Sequence, residues 1–359
     1  YIDGVEIIAA SNLKELCAFI DGTGELPVVK KLDYDVISEH IKYTDDITFV
    51  KGQYVAKRAM EIAVSGNHNI ILVGPPGSGK TMLAKCIPSI MPDMSFEEAL
   101  ETTKIHSAAG TLSSEEGIVY KRPYATPHHT ASRIAIIGGG VSAKPGIISL
   151  AHNGVLFLDE MAEYPRSILE SLRQPLEDRV ITVSRAKTSV KYPASFMLVG
   201  SMNPCPCGFL GSKQNYCKCT PSQIIKYKAR VSGPLLDRMD LRITVDNVKY
   251  DELVDRSAGE SSEEVRKRVN RTRLIQRERF KGEEINSNAE MGERHLEAFC
   301  KLSKECEDIM RKAFDSLNLS ARARSRIIKV ARTIADMELS ANIEPKHLLE
   351  AISYRSEEI

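Results

Sequence analysis

The 359-residue chain has no apolar run approaching the roughly 18 residues of a membrane-spanning helix, so no membrane partner is expected. No signal-peptide pattern opens it, and it begins at Tyr1 rather than Met, from which we expect a trimmed chain. A surplus of one charge is also missing. The 49 basic residues stand against 48 acidic ones, so nothing in the overall balance calls for a polyanion, and a nucleic-acid surface has to come from a local cluster. Internal repeats and low-complexity tracts are absent. Cysteine is sparse, with eight in all, too few for a disulfide scaffold in a chain of this length. Four of the eight nevertheless fall in one short stretch, NPCPCGFLGSKQNYCKCT: Cys205, Cys207, Cys217 and Cys219. Such packing reads as a metal site in a reducing compartment, which makes the cytoplasm the expected location.

What is present is organised in blocks. Residues 1–28 read as a strand (VEIIAA), a helix (NLKELCAFIDG) and a short apolar stretch (LPVV). One strand and one helix bury no core, so this block is expected to be the remnant of an upstream domain, with residues 29–45 as a polar linker. Residues 46–247 alternate between patterns. KGQYVAKRAMEIAVSG has helical apolar spacing, while NIILVG, GVLFLD and SFMLVGSMN are short apolar runs suited to buried parallel strands. The expected fold class is therefore α/β, with a doubly wound parallel sheet. VITVSRAKTSVKYPASF reads as a β-hairpin. Residues 248–285 carry a long charged helix whose basic residues run nearly all round, leaving a thin apolar stripe at Val265, Val269 and Ile275; this predicts a solvated connector. Residues 286–359 are helical, with Ser320 as a helix N-cap and Pro345 in a first turn.

GPPGSGKT, comprising Gly74, Pro75, Pro76, Gly77, Ser78, Gly79, Lys80 and Thr81, matches G-x-x-x-x-G-K-[ST] between a strand and a helix. Its glycines let backbone N–H groups turn inward around phosphates. Lys80 reaches the β- and γ-phosphates, and the Thr81 hydroxyl ligates Mg²⁺. The strand in GVLFLDE then delivers Asp159 to hold Mg²⁺ and Glu160 to orient and deprotonate the attacking water. Asn203 ends a further strand, where its amide is placed to hold that water. This set predicts ATP hydrolysis.

With KGQYVAKRAMEIAVSGNHNIILVGPPGSGKT, PHHTAS, ISLAHNGVLFLDE, ILESLRQPLEDR, NPCPCG, SGPLLDRMDL and LSARARSRIIKVARTIAD, the chain resembles the magnesium-chelatase-like family of AAA+ ATPases, in its ComM/YifB branch. The likeness runs over nearly all of residues 46–359. It implies a P-loop AAA+ core of three αβα layers with a C-terminal α-helical lid, and a homo-oligomer, a hexameric ring when ATP is bound. Residues 1–28 resemble the end of the Lon-protease-like domain found upstream in this family. The resemblance makes Arg238, in LLDRMD, an arginine finger reaching into a neighbouring subunit. It makes Arg322, in LSARA, the lid's sensor arginine, touching the γ-phosphate of its own chain, with Arg324 and Arg326 as competitors for that role. Two departures fall in the insert before the second acidic motif, where Ala125 stands in place of an expected Arg and Ile147 in place of an expected Glu.

The resemblance also implies a motor. In the wider superfamily a hairpin like the one around Lys187 points into the ring's pore, where Arg185, Lys187 and Lys191 form a basic collar suited to the backbone of single-stranded or branched DNA. The adjacent His128 and His129 invite a metal reading, but neighbours along a chain rarely chelate together, and a structural or pore-loop use is expected instead. The functional expectation is a DNA helicase or branch-migration motor. Its alternative is remodelling of a protein or cofactor target, as by the magnesium-chelatase motor subunit. The four clustered cysteines are expected to bind one structural Zn²⁺, against the alternative of reduced free thiols; their Cys-x-Cys spacing is tighter than the common Cys-x₂-Cys.

Overall fold

A computed structural model describes residues 6–28, 34, 43–112, 117–140, 143–184, 189–212, 215–254 and 259–355. The chain divides into two compact units, residues 1–42 and 43–359. In the first, Asn12 caps a helix over Leu13–Ile20 by accepting from the Glu15 amide. The expected VEIIAA strand is reduced to a single antiparallel bridge between Ile8 and Val28.

The second unit is built on a parallel sheet. Its strands are β1 (Ile70–Val73), β2 (Tyr124–Ala125), β5 (Val155–Leu158), β8 (Met197–Met202) and β9 (Leu241–Thr244), in spatial order β2-β5-β8-β1-β9. The small pair β3 (Gly138–Gly139) and β4 (Lys144–Pro145), and the hairpin β6 (Val180–Ser184) with β7 (Ser189–Pro193), lie outside it. The central strands read as continuous apolar runs because both of their faces are covered. Ile70 and Leu72 belong to one hydrophobic cluster and Ile71 and Val73 to the other. The three layers expected of the core follow from that alternation.

The two faces differ in what covers them. On one, the helices Tyr54–Gly66, Lys80–Ile90, Ser262–Arg279 and Ala321–Met337 close a single apolar cluster that runs from Ile47 to Tyr354. The C-terminal helical region is present as expected, and its core is continuous with that of the sheet. The other face is covered by short helices from the segment 133–172 and by Tyr227, Val231 and Leu235. Ala125 and Ile147 both pack against this second cluster. Ala125 lies in β2, an edge strand of the main sheet paired with Leu156, so both departures place small or apolar side chains where apolar packing awaits them.

The charged helix Ser262–Arg279 corrects the expectation of a solvated connector. Its buried face is Val265, Val269, Thr272, Arg273 and Gln276, so polar side chains continue the apolar stripe. Gln276 donates to the Ser65 carbonyl at 2.9 Å. Arg268 pairs with Glu61 at 2.7 Å and also with Glu260, Arg279 with Asp336 at 2.7 Å, and Lys267 with Glu263 at 2.7 Å. Much of the basic run is therefore engaged within the fold.

The hairpin expected around Lys187 is present, with Ser184 opposite Ser189 and Thr182 opposite Lys191. Lys191 is exposed, while Arg185 and Lys187 lie outside the described residues.

Candidate nucleotide site

Three neighbouring strands end at one place. The register pairs Ile70 with Val199 and Val155 with Met197, so the residues after Val73, Leu158 and Met202 emerge side by side at the carboxyl edge of the sheet. This is where open α/β sheets bind ligands. After β1 the Gly74 amide donates to the Met202 carbonyl at 3.1 Å. Gly77 and Gly79 then take left-handed φ angles of 78° and 91°, a turn open to glycine at little cost. Gly79 caps the helix Lys80–Ile90, whose N-terminal amides offer a partial positive charge to an anion.

Lys80 is buried and folds back over the loop. Its Nζ donates to the Gly74 and Pro75 carbonyls at 2.8 Å each and to Asn203 Oδ1 at 3.3 Å. Burial lowers its pKa from the usual lysine value, and the carboxylates of Asp159 and Glu160 oppose that shift. Thr81 Oγ1 donates to Asp159 Oδ2 at 3.0 Å. Adjacent oxygens around an octahedral Mg²⁺ at 2.1 Å stand about 3 Å apart, so this pair fits the ion. The expected grouping of Lys80, Thr81, Asp159 and Asn203 is therefore present in the geometry.

A residue that sequence reasoning missed completes the acidic end. Ser201, buried in β8, donates to Asp159 Oδ1 and accepts from the Glu160 amide at 2.9 Å. Those two bonds orient the Asp159 carboxylate and hold the next residue. Glu160 takes a left-handed φ of 50°, uncommon for a residue with a Cβ, and it is exposed at the strand tip. No local spacing points to Ser201; only the alignment of β5 with β8 does.

Beside the loop lies a cavity of about 400 Å³ lined by Gln53, Tyr54, Pro75, Ser212, Thr244 and Asp246, among others. Gln53 Nε2 fastens its floor, donating to the Ser78 carbonyl at 3.2 Å and the Asp246 carbonyl at 2.6 Å.

The two arginines expected to complete the chemistry are elsewhere. Arg238 is almost fully buried; it donates to the Pro234 carbonyl at 2.8 Å and pairs with Glu177. Arg322 pairs with the other oxygen of Glu177 at 3.7 Å. Both line a cavity of about 620 Å³ shared with Arg179, Arg324, Arg326 and Lys329, and none of residues 74–81, Asp159, Glu160 or Asn203 lines it. This corrects the same-chain reach expected of Arg322, which is grouped with the finger candidate rather than with its own Lys80. Of its competitors, Arg326 is committed to the buried Asp240, which leaves Arg324 as the other candidate on the cavity wall.

The four cysteines converge. Cys205 Sγ lies 3.4 Å from Cys207 Sγ and 3.6 Å from Cys217 Sγ, Cys207 Sγ lies 3.7 Å from Cys217 Sγ, and all four sulfurs sit within 4.8 Å of one another. Four sulfurs placed tetrahedrally at 2.3 Å from Zn²⁺ stand about 3.8 Å apart, so the cluster fits the ion. Backbone N–H groups of Phe209 and Lys218 pull the Cys207 thiol down to about 6. Like charges at this spacing repel, and a dication reverses that balance. The rings of His128 and His129 lie 4.1 Å apart between centroids, tilted by 33°, and His128 Nδ1 meets the Thr130 hydroxyl at 2.7 Å.

Two family models match, magnesium chelatase subunit ChlI over residues 46–253 and its C-terminal part over residues 259–355. The protein YifB of Escherichia coli is 42% identical over 99% of this chain and 68% of its own length. Competence protein ComM of Haemophilus influenzae is 41% identical over 97% of this chain and 67% of its own. A magnesium-chelatase subunit ChlI from Olisthodiscus luteus is 27% identical over 44% of this chain and 50% of its own length.

Proposed function

Because the chain belongs to the magnesium chelatase ChlI family of AAA+ ATPases, in its ComM/YifB branch, we propose that it is an ATP-hydrolysing ring motor, hexameric when ATP is bound, that drives single-stranded or branched DNA. The observation that carries the ATPase chemistry is the meeting of Lys80, Thr81, Asp159 and Asn203 at the ends of three adjacent strands.

The residues divide the work as follows. Lys80 Nζ exchanges the Gly74 and Pro75 carbonyls for phosphate oxygens, and the inward-turned amides of residues 74–81 wrap the rest of the triphosphate. Thr81 and Asp159 would hold Mg²⁺, which would supply neutralisation of phosphate charge. Glu160, exposed at the strand tip, takes the proton of the attacking water. Asn203, anchored to Lys80 and with its backbone N–H on the buried Tyr227 hydroxyl, positions that water. Arg238 and Arg322, sharing Glu177 in one cavity, serve together the site of a neighbouring subunit, where a trans arginine stabilises the transferring phosphoryl group. The cysteines hold a structural zinc and perform no chemistry.

The DNA reading draws support from the competence protein in the same branch and from the exposed Lys191 on the β6–β7 hairpin. Its test is the ATPase rate of the chain with and without forked or four-way DNA. We expect stimulation by DNA and binding that weakens with salt. If neither appears, the DNA reading fails, and remodelling of a protein or cofactor target takes its place.

A further inference from the structure

The cysteine segment is tied to the phosphate loop in two ways, by the chain through Asn203 and by a close approach at Gly208. Cys205 is fully buried and stands two residues beyond Asn203, whose Oδ1 accepts from Lys80. The second point is Gly208. It takes a left-handed φ of 83°, and a Cβ built there lies 2.5 Å from Pro76 Cδ and 2.8 Å from Pro76 Cγ. No side chain fits between the cysteine loop and the proline ring. Gly208 is itself locked into the cluster, because its amide donates to the Cys205 carbonyl at 2.9 Å. The amide of the next residue, Phe209, reaches the Cys207 sulfur. Further along, Ser212 lines the cavity of about 400 Å³ together with Pro75 and Gln53.

We propose that the metal-held cysteine loop is a working wall of the nucleotide site: zinc on Cys205, Cys207, Cys217 and Cys219 seats Gly208 against Pro76 and Ser212 beside Pro75, so zinc occupancy sets the affinity for adenine nucleotides. This rests on the zinc reading above and extends it from a passive staple to a coupled site. The physical basis is linkage. Phosphate binding needs the loop amides held in one arrangement, and a loop that must first be ordered binds more weakly by the free energy of ordering. A closed four-cysteine site supplies that order before the nucleotide arrives. By reciprocity, bound nucleotide also slows loss of the ion.

The test separates the two layers. Zinc per chain is measured by elemental analysis, and ADP affinity by calorimetry, on the chain as isolated, after chelation, and after zinc is returned. We expect one zinc per chain, ADP binding weakened about tenfold by chelation and restored by zinc; tenfold corresponds to about 1.4 kcal/mol. Gly208→Ala keeps all four cysteines, so it should retain zinc yet lose about tenfold in ADP affinity through the clash with Pro76. Gly211→Ala is the control for backbone strain alone, since Gly211 also has a left-handed φ, 78°, with open space around its Cβ; it should bind ADP as the parent does. Zinc present but ADP affinity indifferent to chelation and to Gly208→Ala overturns the coupling and leaves the zinc reading standing. A chain that neither contains nor takes up zinc overturns both.

Discussion

The surroundings of Lys80 and the cavity around Glu177 both gather charged side chains, and they do so in opposite ways. At Lys80 one chain brings together a cation, two carboxylates, a hydroxyl and an amide; Lys80, Thr81, Asp159 and Asn203 are hydrogen-bonded there, and Glu160 is held by its backbone amide. At Glu177 several cations surround a few carboxylates, and the two that matter most, Arg238 and Arg322, rest on a single glutamate. On the proposed function, the first arrangement is a binding site complete in one chain, and the second holds a pair of arginines on a counter-ion until a more negatively charged partner is presented. A ring in which each interface joins one of each kind makes assembly a condition of turnover.

The sharpest way to break that contrast is to remove one half at a time. Arg238→Ala should lower turnover by about 10³- to 10⁵-fold, the range for a trans arginine, while ADP affinity measured by calorimetry stays at the parent value. Glu160→Gln should bind ATP normally and hydrolyse it about 10²- to 10⁴-fold more slowly, as for loss of a general base; parent-like turnover would refute its role. Mixing the two variants in equal amounts should restore about a quarter of parent activity, because at random about one interface in four joins an intact Glu160 to an intact Arg238. A mixture as inactive as its components would show that the two sites do not meet across subunits. Arg322→Ala should complement Glu160→Gln in the same way and fail to complement Arg238→Ala.

Smaller effects sharpen the finished site. Ser201→Ala leaves Asp159 and the Glu160 amide each short of a partner, at a cost of about 1–3 kcal/mol. Titrating ATPase rate against Mg²⁺ should show a higher requirement of roughly tenfold, with little change in metal-free nucleotide binding.

The smallest effect concerns the join between sheet and C-terminal helices. His68 is fully buried, meets the Thr333 hydroxyl at 2.7 Å, and burial depresses its pKa to about 4. The unfolded chain takes up a proton near pH 6.5 and the folded one only near 4, so stability is present above 6.5 and is lost as pH falls through that window. Denaturant melts at pH 8 and pH 5 should differ by on the order of 2 kcal/mol from this group. His68→Gln should flatten that part of the difference.

How much of this was legible beforehand depended on distance along the chain. The phosphate loop is eight consecutive residues, and each strand or helix beside it announces itself by its own pattern. The cysteine cluster was visible for the same reason. Ser201 was not, because its partners lie more than forty positions away and only the β5–β8 register joins them. The meeting of Arg238 and Arg322 at Glu177 was invisible on the same grounds. β9 was overlooked because Leu241–Thr244 follows directly on DRMD and alternates as LRIT instead of reading as an apolar run. The helix Ser262–Arg279 misled because Thr272, Arg273 and Gln276 are buried by specific partners and not by hydrophobicity.

The order of the sheet carries a consequence for how the protein is made. β1 sits between β8 and β9, so Ile70 waits for Val199 on one side and for Leu241 on the other. At about 5–20 residues per second of synthesis, β9 follows β1 from the ribosome by roughly 10–30 s. Until β8 emerges, roughly 6–25 s after β1 at that rate, the strand Ile70–Val73 has two bare edges, and it keeps one until β9 follows. Codons between β1 and β8 that slow the ribosome therefore lengthen the exposure of an unpaired apolar strand.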